Sequence, residues 1–345
     1  MRKRPRKDVW PVSKSPLSQI FQSRDFFKPF KYPWAYDLWK KHEQIHWLLK
    51  EVPLNEDVRD WNNKLTQEDR NFLTDVFLLF TQSDIDVAGG YIDDYLPHFK
   101  HPELRMMLLG FAAREPVHID AYSGLIETIG MKDEFYRQFL DIPVMKAKHD
   151  FFQRVVSSNR KKKTKESLLL QIAGISAFTE GMFLFSSFAM LLNFPRQNMM
   201  KGMGQIVSWS VLDEQLHVRG LTHISNTIVA ENPSWLTKSA VEEITATAEM
   251  MSELEFDFID LVYRDKEEFH GLPKADLKNF IRFTVDKRLR DLNLPELFGV
   301  HENPLPWFDE MVASQNHENF FETRATSYAK AALSGSWADV WGQYK

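Results

Sequence analysis

The chain contains no cysteine. That excludes disulfides, thiolate zinc sites, iron–sulfur ligation and a thiol nucleophile, and leaves carboxylates and imidazoles as the available strong metal ligands. Glycine is scarce, 14 of 345 residues, against roughly 7% in an average protein, so a many-stranded architecture rich in tight turns is not expected. The net charge is only −5, which is not the electrostatic footprint of a nucleic-acid binder. Long apolar runs are nearly missing too. The exception is 167–195, where Glu180 is the single formal charge in 29 positions. That length could span a bilayer, but the charge sits at its centre among Gln171, Ser176, Thr179, Ser186, Ser187 and Asn193. A buried helix in a large bundle explains it better than a membrane span. Five of the first seven residues are basic, yet no apolar stretch follows them; no secretory signal is expected, and the protein is expected in the cytoplasm.

What is present fits a large helical core. There are 27 phenylalanines and 10 tryptophans, and 43% of the residues are hydrophobic. Apolar positions recur with helical period over about 36–50, 66–95, 102–129, 133–158, 166–193, 198–231, 235–265 and 273–290. Residues 1–30 read as a basic tail or strap, 31–300 as the helical domain and 301–345 as a C-terminal segment, where Pro295, Pro304 and Pro306 end the periodicity. The basic run Arg160–Lys165 reads as a solvated loop. The fold expected is all-α.

Four Glu-x-x-His matches occur, each placing both side chains on one helix face. Glu43/His46 and Glu267/His270 lie in strongly charged, wet stretches and read as surface. Glu115/His118 lies on the row Leu104, Leu108, Phe111, Glu115, His118, Tyr122, Leu125, Ile129, an apolar stripe opened by Pro102 and closed by Gly130. Glu214/His217 lies on the row Val207, Ser210, Glu214, His217, Leu221, Ile228. Each of these two helices follows one that carries an inward carboxylate. Before the second it is Glu180. Before the first, Asp84, Asp86, Asp93 and Asp94 compete; the row Leu73, Phe77, Phe80 points Asp84 inward and leaves the other three off the stripe. An apolar-stripe histidine is by itself more often a hydrogen-bonded core residue. Six such groups together are different, because burying four carboxylates without a counter-charge costs several kcal/mol each. Two histidines and four carboxylates from four helices form the ligand set of ferritin-like di-iron and di-manganese bundles. Tyr122 lies one turn beyond His118 on the same face.

Phe80–Asp84, Glu115–Ser123, Phe178–Gly181 and Asp213–His217 together resemble the radical-generating small subunit of class I ribonucleotide reductase, and the resemblance runs from about Tyr36 to the C terminus. It implies a ferritin-like bundle with additional helices, a homodimer, and a dinuclear Fe or Mn site held by Asp84, Glu115, His118, Glu180, Glu214 and His217. It implies oxygen, or a reduced oxygen species, as reactant and Tyr122 as the radical position. Lys40–Trp47 is similar to the family's early motif and implies Trp47 as a transfer residue; Asp213 would link it to His118. Phe320–Tyr328 resembles the C-terminal motif with the transfer tyrosine, here Tyr328. Beyond it, Trp337, Val340, Trp341 and Tyr344 imply a tail that docks the large catalytic subunit, where the missing thiols would reside. The chain departs from the family pattern at Pro116, inside a ligand helix, where a kink is expected, and at Leu212, where the family usually has arginine. A self-contained di-metal oxidase acting on a small or lipid-like ligand is the alternative, but it would need no Trp47–Asp213–Tyr328 relay; a ferritin-like metal store would need no docking tail.

Overall fold

The computed structural model describes residues 19–162 and 165–313, with side chains except at 81–86, 156–166 and 174–176. Helix α1 (Pro33–Gln44) starts on a proline, whose missing N–H costs nothing in a first turn. Its inward positions are Ala35, Leu38 and His42. It stops six residues short of the expected end at 50. The indole of Trp47 bonds instead to Asp213, a tertiary partner that outweighs weak local propensity. Helix α2 (Asn55–Arg59), which the periodicity did not reveal, leads into a wide turn over Asp60–Lys64. Helix α3 (Gln67–Gly89) opens with a reciprocal box: the Asp69 carboxylate accepts from the Thr66 N–H at 2.8 Å, and Thr66 Oγ1 accepts from the Asp69 N–H at 3.1 Å. It continues as a wide-turned segment, Gly90–Tyr95.

Helix α4 (Pro102–Thr128) runs unbroken through Pro116. Residues Asp133–Asp141 form a 3₁₀ stretch, and Pro143 separates it from α5 (Pro143–Lys162), because the residue before a proline disfavours helical geometry. The expected single helix over 166–193 is buried but interrupted: α6 (Lys165–Leu169), a wide-turned stretch (Leu170–Ser176), α7 (Ala177–Thr179), a turn over 180–184, then α8 (Phe185–Arg196). Helix α9 (Lys201–Glu231) is capped by the buried Asp57 of α2, which accepts from the Gly202 and Met203 N–H groups, both at 2.8 Å. Helix α10 (Lys238–Tyr263) is followed by a two-stranded hairpin, β1 (Glu268–Phe269) and β2 (Leu272–Pro273), and by α11 (Lys274–Asp291). Residues 306–313, where no element was expected, form a separate short helix.

The centre is a closed ring of four helical runs. α4 packs on α3 and α9, α9 on α8 and on Leu170–Ser176, and α3 on α8. Gly220 permits the α4–α9 approach, since a Cβ there would lie 2.6 Å from the Phe111 ring. Phe77, Phe80, Phe111, Phe188 and Ile206 are buried in this ring, and α1 lies against α4 and α9. Among the described residues no helix is long and apolar enough to cross a membrane.

Candidate metal centre

Five of the six expected ligands have described side chains, and all five converge. Glu115 and His118 come from α4, Glu214 and His217 from α9, and Glu180 from the turn that interrupts the third run. None is more than 2% exposed. His217 Nδ1 lies 3.1 Å from Glu115 Oε1, 3.2 Å from Glu180 Oε2 and 3.4 Å from Glu214 Oε2. His118 Nδ1 lies 3.2 Å from Glu214 Oε1 and 3.5 Å from Glu115 Oε2. Glu115 and Glu214 therefore each turn one oxygen to each histidine, the placement of bridging carboxylates. The side chain of the sixth, Asp84, lies outside the described residues; its backbone is on α3.

The donor set suits divalent cations. Both oxygens of Glu115, Oε2 of Glu214 and Nδ1 of His217 are buried with no hydrogen-bond partner, a costly state in a dry core unless a cation satisfies them. One ligand atom from each of Glu115, Glu180, Glu214 and His217 fits within 4.8 Å of the others. Electrostatics tells the same story. Burial alone would strip the imidazolium protons, but the carboxylates around His118 and His217 hold both well above the ordinary histidine range. Burial pushes the Glu180 carboxyl up to about 7, even with His217 beside it. Glu214 resists the same burial, because His217 and His118 together hold it down at about 2.

The break at Glu180 is built from two sides. Arg288 of α11 donates from Nε to the Gly181 carbonyl at 3.0 Å, and Lys148 of α5 donates to the Phe183 carbonyl at 3.4 Å. Lys148 is itself buried against Glu255. A Cβ at position 181 would lie 2.6 Å from Arg288 Nε and collide with the Ala177 carbonyl. Glycine is therefore what lets the guanidinium reach the opened backbone.

Trp47, 1% exposed, donates its indole N–H to Asp213 Oδ2 at 2.9 Å, and His118 Nε2 lies 3.1 Å from the same oxygen. The Trp47 ring stacks on His118 at 5.8 Å. Tyr122 is buried, with its ring 6.2 Å from His118 and 4.3 Å from Phe80. Tyr328 and the tail from 329 lie outside the described residues. Glu43, His46, Glu267 and His270 are exposed, as their wet stretches implied.

Three neighbours of the centre were not singled out from sequence. His42, expected in a wet stretch, is 1% exposed, with Nε2 3.2 Å from His217 Nε2; its place on the row Ala35, Leu38, His42 was the available signal. Tyr91 donates its hydroxyl to Glu180 Oε2 at 2.6 Å from the wide-turned segment Gly90–Tyr95 that continues α3. Arg114 places Nε 3.6 Å from Asp213 Oδ2. The guanidinium beside Asp213 thus comes from α4, while Leu212 is a buried apolar residue.

A helical ring that turns histidines and carboxylates into a dry centre defines the ferritin-like class of di-metal carboxylate folds. Comparison with known proteins narrows this. The family model for ribonucleotide reductase, small chain, matches residues 24–304, and the chain belongs to that family. It is 41% identical to the probable ribonucleoside-diphosphate reductase small subunit 376L of Invertebrate iridescent virus 6, over 94% of this chain and 99% of that protein. It is 29% identical to the ribonucleoside-diphosphate reductase subunit beta of Chlamydia pneumoniae, over 88% and 89%. In fold it is similar to the ribonucleotide reductase R2 subunit from Clostridium botulinum (22% identity, TM-score 0.76, covering 82% of this chain and 89% of that one). It is also similar to the dimanganese(II)-NrdF of Streptococcus sanguinis (18% identity, TM-score 0.73, covering 85% and 100%). Family membership makes the chain an oxidoreductase component and implies a large-subunit partner.

Proposed function

We propose that this small subunit holds two Fe or two Mn ions, reacts with oxygen in the cytoplasm, and supplies an oxidising equivalent to a large subunit that reduces ribonucleotides. Asp84, Glu115, His118, Glu180, Glu214 and His217 would hold the two ions. Bound there, the metal pair would supply the electrons for oxygen reduction. Everything else falls to the chain's own residues. The apolar packing of Phe80 and Phe188 keeps water from Tyr122, so its oxidised form is protected and the equivalent is stored there. The observation that carries the reading is the chain of contacts Trp47–Asp213–His118, with no gap above 3.1 Å. When Trp47 gives up an electron its indole N–H becomes acidic, and Asp213 is placed to take that proton. Arg114 holds the Asp213 carboxylate in register. The relay continues through Tyr328, and the tail after it docks the large subunit. Two copies of the chain pair in the working protein.

Electron paramagnetic resonance tests the storage step. Protein loaded with Fe²⁺ and exposed to oxygen is expected to give an organic radical signal, and Tyr122→Phe to abolish it with both metals retained. Full ribonucleotide reduction by that variant would place the stored equivalent elsewhere.

A further inference from the structure

His42 lies within the Lys40–Trp47 segment but has no role in the relay drawn from it, and it touches the centre. Its Nε2 lies 3.2 Å from His217 Nε2 and 3.8 Å from Asp213 Oδ1. Its ring packs edge-on to Phe111 at 5.2 Å, and its backbone carbonyl accepts from Arg114 at 3.5 Å. The placement is fixed from several directions.

The contact fixes protons. His217 turns Nδ1 to three carboxylates. A nitrogen that binds a cation must offer its lone pair, so the neutral ring carries its proton on Nε2. That N–H points at His42 Nε2, which must then be bare, with the His42 proton on Nδ1. His118 has the same inward Nδ1, but its outer nitrogen faces the Asp213 carboxylate at 3.1 Å. An anionic acceptor draws on the imidazole proton and makes the ring a stronger donor to a metal; a neutral imidazole does so less. The two inward histidines are alike in spacing and unlike in backing.

Resting on the two-ion reading above, we propose that His42 is a positioning residue that fixes the tautomer and ring orientation of His217, making the His217 end a distinct and weaker cation site than the His118 end.

The test is a titration of the metal-free, full-length protein with Mn²⁺, following free ion by electron paramagnetic resonance. The wild type is expected to bind two ions in separable steps, the weaker one lost in His217→Ala. His42→Leu fills the space without an acceptor and is expected to loosen the weaker step by about tenfold or more, leaving the tighter one within about threefold. His42→Gln offers a carbonyl oxygen to the same N–H and should restore the weaker step to within about threefold of wild type. In the His217→Ala background, His42→Leu should change nothing further. Two wild-type steps in His42→Leu, or a His42→Gln as weak as the leucine variant, would overturn the role of His42 while leaving the two-ion reading intact. A wild type that binds fewer than two ions would overturn the two-ion reading itself and this inference with it.

Discussion

Glu115, His118, Glu214 and His217 were legible because each interrupts an apolar stripe, and a polar residue on a buried row has few uses. His42 and Arg114 were not, because charged neighbours in sequence hid their inward placement: Lys41 and Glu43 flank one and are exposed, and Glu115 follows the other. The histidines also carry a pH dependence. In the metal-free protein, carboxylates hold His118 and His217 above their ordinary range, and burial raises Glu180 to about 7. All three bind protons more tightly folded than unfolded. Their stabilisation is complete below the unfolded values and declines as pH rises through the folded ones. Glu214 has the opposite sign, and its contribution disappears only as pH falls toward about 2. Urea midpoints of the metal-free protein are therefore expected to fall between about pH 6 and about pH 8. Metal affinity should rise over the same interval, because the ions displace those protons. A midpoint that climbs with pH would contradict this assignment of charge.

At the level of elements, helix periodicity located the main runs, but it could not reveal the interruption at 180–184. Every residue from 177 to 194 is buried, so no polar face marks where the helix opens. The cause lies in α5 and α11, whose Lys148 and Arg288 hold the Phe183 and Gly181 carbonyls. No reading of residues 167–195 alone could include them. Gly181→Ala puts a methyl group into that space and is expected to destabilise the fold by about 1–3 kcal/mol. It should also lower metal content, because Glu180 sits on the displaced turn. Denaturation and metal analysis of the purified variant would check both; wild-type stability with full metal content would mean the turn has slack the packing does not show.

For the molecule as a whole, the ring of four runs places ligands from sequence positions 115 to 217 at one point, with α1 lending His42 and the segment after it lending Trp47 from outside the ring. The proposed division of labour fits the composition: a chain without cysteine has no thiol of its own, so under that proposal thiol chemistry falls to the large subunit. Truncation after Tyr328 is accordingly expected to leave metal content unchanged and to abolish binding to the large subunit in an association assay; undiminished affinity would move the docking surface onto the folded core. The proposed metal pair underlies all of this, and anomalous diffraction at the Fe or Mn edge reads it directly. Crystals of the metal-loaded protein are expected to show two peaks per chain, both in contact with Glu115 and Glu214, one on the His118 side with Asp84 and one on the His217 side with Glu180. A single peak, or peaks away from these residues, would contradict the dinuclear site.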